Sequence, residues 1–233
     1  MRAESDLFPI YQILHKALGP QHWWPGDTEF EMMTGAVLTQ NTSWRNVEKA
    51  LNNLKEKNFL SMKKLYRVSV SKLAQLIRPA GYFNLKAKRL KALVHWLKES
   101  CSGKIGQLRN FGTETLRNRL LDIYGIGPET ADSILVYALK KKSFVIDAYT
   151  KRIFSRHGFL KEENSYAMFK DIFEKALPKK IKIYNEYHAL IVKIGKDFCR
   201  KIPKCSACPL EGDLKKYKNA LMYQEKDRIK VYA

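Results

Sequence analysis

Apolar residues recur at steps of three and four along nearly the whole chain, and no stretch alternates at the two-residue period of a half-buried strand. That pattern calls for helices packed on helices. Leu7, Ile10, Tyr11, Leu14 and Leu18 mark a helix over 5–18, stopped by Gly19-Pro20. Thr28-Glu29-Phe30-Glu31 is a capping box that opens the helix carrying GAVLTQ (35–40). Ser43 caps a helix with Trp44, Val47, Leu51 and Leu54 inward, and Asn84 opens another with Leu90, Leu93, Val94 and Leu97 on one face. Thr113 caps a helix reaching about Tyr124, Pro128 suits the first turn of the next, and Asp147 caps one ending near His157. Two more helices fit 164–176 and 183–199. The expected fold class is all-α, with ten or so short helices and YQEKDRIKVYA as a charged, poorly ordered tail.

The 233 residues suffice for a large core, and 45% hydrophobic content argues against disorder. Lys and Arg number 43 against 23 acids, a net charge of +20. A surplus of that size favours a polyanion, because each neutralised phosphate releases counterions. Charge alone does not separate DNA from RNA or an anionic membrane. MRAESDLFPI lacks the apolar core of a signal peptide, and runs such as ILVYAL (134–139) are too short to span a bilayer. The expectation from these features is a soluble, intracellular protein.

TLRNRLLDIYGIGPETADSILVYAL (115–139) reads as helix, tight turn, helix. Gly125 and Gly127 permit left-handed dihedrals and close backbone approach. The free N–H groups at the start of the second helix, Thr130 among them, form an anion nest. Such a nest grips a phosphate without reading a base. Asp147 follows twenty residues after Gly127, at a helix N-terminus whose N–H groups keep a carboxylate ionised. A carboxylate facing an anionic partner is electrostatically awkward unless it has a task.

With these residues in view, LLDIYGIGPETADSILVYALKKKSFVIDAYTKRI resembles the helix-hairpin-helix and following Asp of the endonuclease III superfamily of DNA glycosylases. GAVLTQNTSWRNVEKAL (35–51), RPAGYFNLKAKRLKAL (78–93) and HALIVKIGKDFCRKIPKCSACPL (188–210) are similar to further parts of that family, in the same order. The resemblance implies a six-helix barrel domain over 28–141, with the hairpin at about 113–140. It implies a second helical domain from 1–27 plus 142–233, and a DNA-binding cleft between the two. The partner it implies is double-stranded DNA containing damaged bases, flipped for excision, and the protein it implies is a monomer, cytoplasmic and nucleoid-associated in a bacterium or archaeon, away from membranes. The resemblance gives Asp147 the catalytic role, stabilising the cationic sugar and orienting or deprotonating water. By position in the resembled family, Gln40 is expected to fill the gap left by the flipped base, and Tyr82 or Phe83 to wedge the opposite strand. Arg45, Lys86, Lys88 and Arg89 are candidates for phosphate contact.

Members that also nick the strand carry a Schiff-base lysine two residues past the second hairpin glycine. Here that residue is Glu129, so the resemblance implies hydrolysis without AP lyase activity. Trp23, Trp24, Pro25 and Trp44 are candidates for a base pocket, where indole can stack on a cationic alkylated purine. One of the tandem tryptophans equally suits core packing. The cluster is similar to that of the type III 3-methyladenine DNA glycosylases, which also carry Glu for the lysine. The catalytic Glu of adenine glycosylases falls at Gly35 here. The alternatives are an endonuclease III-like oxidised-pyrimidine glycosylase with AP lyase activity and a non-catalytic DNA-structure binder.

Cys101 stands alone, and Cys199, Cys205 and Cys208 cluster. The 199–208 loop resembles the family's 4Fe-4S iron–sulfur loop, which needs four thiolates, but the fourth falls at Leu214. Three readings stand: a cluster that is incomplete or has a non-cysteine ligand, a zinc site with a borrowed ligand, or free thiols. The base-release chemistry requires none of them.

Overall fold

The computed structural model describes residues 2–217; the tail YQEKDRIKVYA lies outside them. The described residues hold the α-helices α1–α11 named below, a further helical run over 211–217, and no strand. They divide into two compact units, one of Trp24–Ser143 and one of the segments flanking it. The boundaries thus fall at Trp24 and Ser143 rather than at 28 and 141.

Helix α1 (Leu7–Leu18) belongs to the flanking unit, buries Leu7, Ile10 and Leu14, and ends at Gly19 with φ +66°. The central unit follows, with α2 (Glu29–Leu38), α3 (Trp44–Glu56), α4 (Met62–Arg67), α5 (Val70–Leu76), α6 (Phe83–Cys101), α7 (Thr113–Leu121) and α8 (Pro128–Ser133). Thr28 caps α2, its hydroxyl accepting the Glu31 N–H at 3.1 Å, while the Glu31 carboxylate accepts from Asp27 N at 3.2 Å. α8 runs on through a π turn at Ile134–Ala138. Every residue from Ala131 to Leu139 is buried, so this helix forms the middle of the core and α2 packs along it. Val47, Leu51, Leu54, Leu90, Leu93, Val94 and Leu97 close the same core, as their periodicity requires.

Several helix ends differ from expectation. Gly112, not Thr113, holds the cap position of α7, which stops at Leu121 because the chain must turn before Gly125. Helix α6 begins at Phe83 rather than Asn84, with Tyr82 in the cap position in left-handed backbone. Ser43 caps α3 through its carbonyl alone. The short helices α4 and α5, capped by the Ser61 and Ser69 hydroxyls, span too few turns to show periodicity.

The flanking unit adds α9 (Ala148–Arg156), α10 (Tyr166–Ala176) and α11 (Ile181–Asp197) to α1. Its core is aromatic: Phe173 lies 4.4 Å from Phe144 and 4.8 Å from Phe154, ring centroid to centroid. The buried Tyr187 hydroxyl donates to Leu7 O at 2.8 Å, tying α11 to α1. Among the described residues, no helix is long and apolar enough to cross a membrane.

Candidate active site

The hairpin is built by α7, the turn and α8. Arg117 on α7 reaches Asp132 on α8 through Nε at 2.9 Å and Nη2 at 3.2 Å, and the Ser143 hydroxyl donates to the same carboxylate at 2.5 Å. Asp132 is fully buried, so these bonds fix the helix pair instead of leaving a charge bare. Gly125 takes φ +79°, the left-handed region that favours glycine. Gly127, by contrast, is extended at φ −90°, and its exposed face meets no atom within 4 Å of a Cβ position. Its use is open space over the start of α8, where Pro128 stands first and leaves the next N–H groups for an anion. Thr130 is buried, so it contributes backbone and scaffold rather than an exposed hydroxyl. Glu129 is exposed in the first turn of α8, where the helix dipole favours a carboxylate.

Gln40 lies just past the C-terminus of α2 and is bound into the hairpin. Its amide donates to Gly125 O at 3.0 Å and to Thr130 Oγ1 at 2.9 Å. Its carbonyl oxygen accepts from Arg89 Nη1 on α6. Tyr82 and Phe83 differ in exposure. Tyr82 is 70% exposed in left-handed backbone at φ 44°, while Phe83 packs on the core. A bulky residue held there costs strain, which marks a position under constraint.

Lys86 departs from expectation. It is 1% exposed and donates to Leu38 O at 2.9 Å and Ala80 O at 2.8 Å, so it braces the end of α2 and the 78–80 turn from inside. Burial, aided by the Arg89 charge, pushes its ammonium down to about 8.

The aromatic candidates separate. Trp24 packs edge-on against Trp44 at 5.0 Å and tilted against Tyr137 at 5.0 Å, a group that sequence reading missed because Tyr137 sits in an apolar helix. Trp44 Nε1 donates to Glu48 at 2.6 Å, which orients the indole. A Cβ at Gly35 would stand 3.3 Å from the Trp24 ring, so glycine there admits the indole. Trp23 belongs to the flanking unit, with the Lys196 ammonium 5.9 Å from its ring, and Pro25 is exposed.

Asp147 caps α9 in the flanking unit and is 9% exposed. Its Oδ1 accepts from Thr150 N at 2.7 Å and Thr150 Oγ1 at 2.8 Å, and Oδ2 faces His188 Nε2 at 3.5 Å. Burial alone pushes the carboxyl up. The His188 imidazole and the two Thr150 donors outweigh it and hold Asp147 below the usual carboxylate range. The result is an ionised, buried carboxylate with one oxygen fixed by α9. Thr150 and His188 were not singled out from sequence; Thr150 carries a signal, as the residue three past an N-cap.

Cys199, Cys205 and Cys208 line one cavity of about 250 Å³ together with Glu211 and Leu214. Leu214 occupies the position of a fourth ligand without offering a donor. Asp213 is spent elsewhere: Arg2 binds it at 2.6 and 2.7 Å, and His157 Nδ1 lies 2.8 Å away. The loop is also held by arginines of α9. Arg152 donates to Cys199 O at 2.9 Å, and Arg156 to Arg200 O at 2.7 Å and Lys201 O at 3.1 Å. Among the described residues, no group of three or more His, Cys, Asp or Glu is arranged to hold a metal ion. The loop itself supplies three thiols, one short of a four-thiolate set.

Helices without a strand among the described residues, a glycine hairpin at a helix N-terminus and a carboxylate capping a later helix are the parts of a helix-hairpin-helix protein. Residues 34–179 match the HhH-GPD superfamily of base excision DNA repair proteins. A Methanocaldococcus jannaschii protein provisionally named a DNA repair glycosylase is 52% identical over 207 residues, covering 88% of this chain and 94% of the relative. Endonuclease III of Thermotoga maritima is 27% identical, over 81% of this chain and 84% of its own. Among solved structures, Helicobacter pylori 3-methyladenine DNA glycosylase (MagIII) bound to 1,N6-ethenoadenine aligns with TM-score 0.70 and 32% identity. That match covers 81% of this chain and 96% of the other. An endonuclease III–DNA complex aligns over 95% of this chain and 100% of its own, at TM-score 0.79 and 21% identity, and shares the fold. The chain belongs to the HhH-GPD superfamily and is a DNA glycosylase of base excision repair.

Proposed function

We propose that the protein is a monofunctional glycosylase that hydrolyses the N-glycosidic bond of alkylated purines such as 3-methyladenine in double-stranded DNA, acting as a monomer. The observation that carries the lyase-free part is Glu129. A carboxylate stands exposed in the first turn of α8, where the strand-nicking relatives place their lysine. A carboxylate forms no Schiff base, so water is the nucleophile.

Asp147 is suited to that water chemistry. As the bond from C1′ to the base nitrogen breaks, positive charge grows on the sugar, and an ionised carboxylate in a dry environment stabilises it. Water then adds its oxygen to C1′ and gives up a proton to Asp147 or solvent. An N3- or N7-alkylated purine carries a positive charge and leaves as a neutral base, so no strong general acid is needed. The hydrogen bonds from Thr150 leave Oδ2, on the His188 side, as the oxygen less committed to the helix.

The alkylpurine part is supported by the Trp24–Trp44–Tyr137 group, since electron-rich indole favours a cationic base. The H. pylori neighbour supports it as well. The Trp24 indole over Gly35 fills the place where adenine glycosylases of the resembled family carry their Glu. The cysteine loop enters the reading as structure alone. The test is a panel of duplexes with single lesions, scored separately for free base and for strand cleavage. Release of 3-methyladenine with intact abasic strands is expected; release of oxidised pyrimidines with cleavage would replace the proposal by the endonuclease III-like alternative.

A further inference from the structure

The Gln40 side chain, expected to enter the duplex, is held by three partners within the central unit, and two belong to the hairpin. The third, Arg89, comes from α6, an element without a place in the hairpin. Both N–H bonds of the Gln40 amide are engaged by Gly125 and Thr130, and Arg89 takes the oxygen. A primary amide with donors and acceptor all matched has one orientation, because a flip would set N–H against N–H.

Arg89 reaches that oxygen by lying across Gly125. A Cβ on Gly125 would stand 2.3 Å from Arg89 Cγ and 2.6 Å from Cδ. The left-handed glycine thus serves two ends: it closes the turn, and it leaves a groove for the arginine stem. Arg89 Nε is buried without a hydrogen-bond partner among the described residues, an unfavourable arrangement that the other end of the guanidinium must outweigh.

We propose that Arg89 is a positioning residue that acts through Gln40. It locks the Gln40 amide to the hairpin, so the side chain meant for the duplex and the loop meant for the phosphate are presented in fixed register. The inference rests on the reading that Gln40 enters the DNA stack, and it adds a residue that needs no direct DNA contact to act. Preorganisation of this kind lowers the ordering cost of binding.

The test is a double-mutant cycle of Arg89→Met and Gln40→Ala, read as affinity for a duplex with one abasic-site analogue. Methionine keeps the stem over Gly125 while removing the guanidinium, and thermal melts establish that each variant is folded. Arg89→Met should weaken binding about tenfold in the wild-type background and less than about twofold beside Gln40→Ala. Equal losses in both backgrounds, with the salt slope reduced by about one, would make Arg89 a plain phosphate contact and overturn the proposal. A second arm uses no DNA. Hydrogen exchange of the Gln40 side-chain amide, followed by NMR in the free protein, should speed up at least about fivefold in Arg89→Met; unchanged exchange overturns the lock. If Gln40→Ala binds and excises as wild type does, the duplex-entry reading fails instead, and the exchange arm still decides whether Arg89 holds the amide.

Discussion

Replacing Asp147 by Asn removes a charge and little else. Thr150 donates to Oδ1 from its backbone and hydroxyl, and an Asn oxygen accepts both bonds equally well. Asn and Asp are comparable N-caps, so the variant should fold with stability within about 1 kcal/mol of wild type. What it lacks is the ionised oxygen. A carboxylate about 4 Å from a cationic sugar, at an effective dielectric of about 20, contributes about 4 kcal/mol. The loss of one preorganised electrostatic group elsewhere falls in the same range, ~3–4 kcal/mol. The expected effect is therefore a drop of about 10³-fold in single-turnover base release. Binding to an abasic-site analogue should change much less, since that ligand has no cationic sugar. The assay is single-turnover release of 3-methyladenine from methylated duplex, with a thermal melt on the same sample. Release within tenfold of wild type by a folded Asp147→Asn protein would refute the reasoning.

Other predictions follow from single contacts. Gly125→Ala places a methyl into the Arg89 stem in backbone at φ +79°; it should cost about 1–3 kcal/mol in chemical denaturation and weaken binding to undamaged duplex as well. Lys86 has a folded pKa of about 8, below its unfolded value, so the unfolded chain binds more protons between those values and stability rises with pH through that window. Between about pH 7 and 9 the gain is about 1.4 kcal/mol, measured as the difference in denaturation slope against Lys86→Met; equal slopes would contradict it. Asp147 is depressed, so it stays ionised through neutral and mildly acidic pH, and its contribution to stability is lost only as pH falls through its folded pKa. A loss of activity above about pH 5 must then come from another group. Iron and zinc analysis of anaerobically purified protein should find fewer than four irons per chain; four would show that a further ligand completes the set.

Periodicity reported faithfully wherever a helix buries one face for several turns, as with Leu90, Leu93, Val94 and Leu97 on α6. It missed α4 and α5, since one or two turns show no repeat, and it misplaced ends where the cap is a glycine or a left-handed tyrosine. Asp147 was legible because an N-cap leaves a local mark. His188 was not, and Arg89 was read only as a phosphate contact, because each meets its partner only through the fold, 41 and 49 positions away along the chain. Lys86 misled for a related reason: in sequence a buried lysine that caps two carbonyls looks like an exposed one.

Borohydride trapping on lesion-bearing duplex tests the central claim most directly, because it asks which nucleophile reaches the sugar. Water-based chemistry predicts free alkylated base, an intact abasic strand and no covalent protein–DNA adduct. A borohydride-dependent adduct, forming at the rate of base release, would contradict the account built on Glu129.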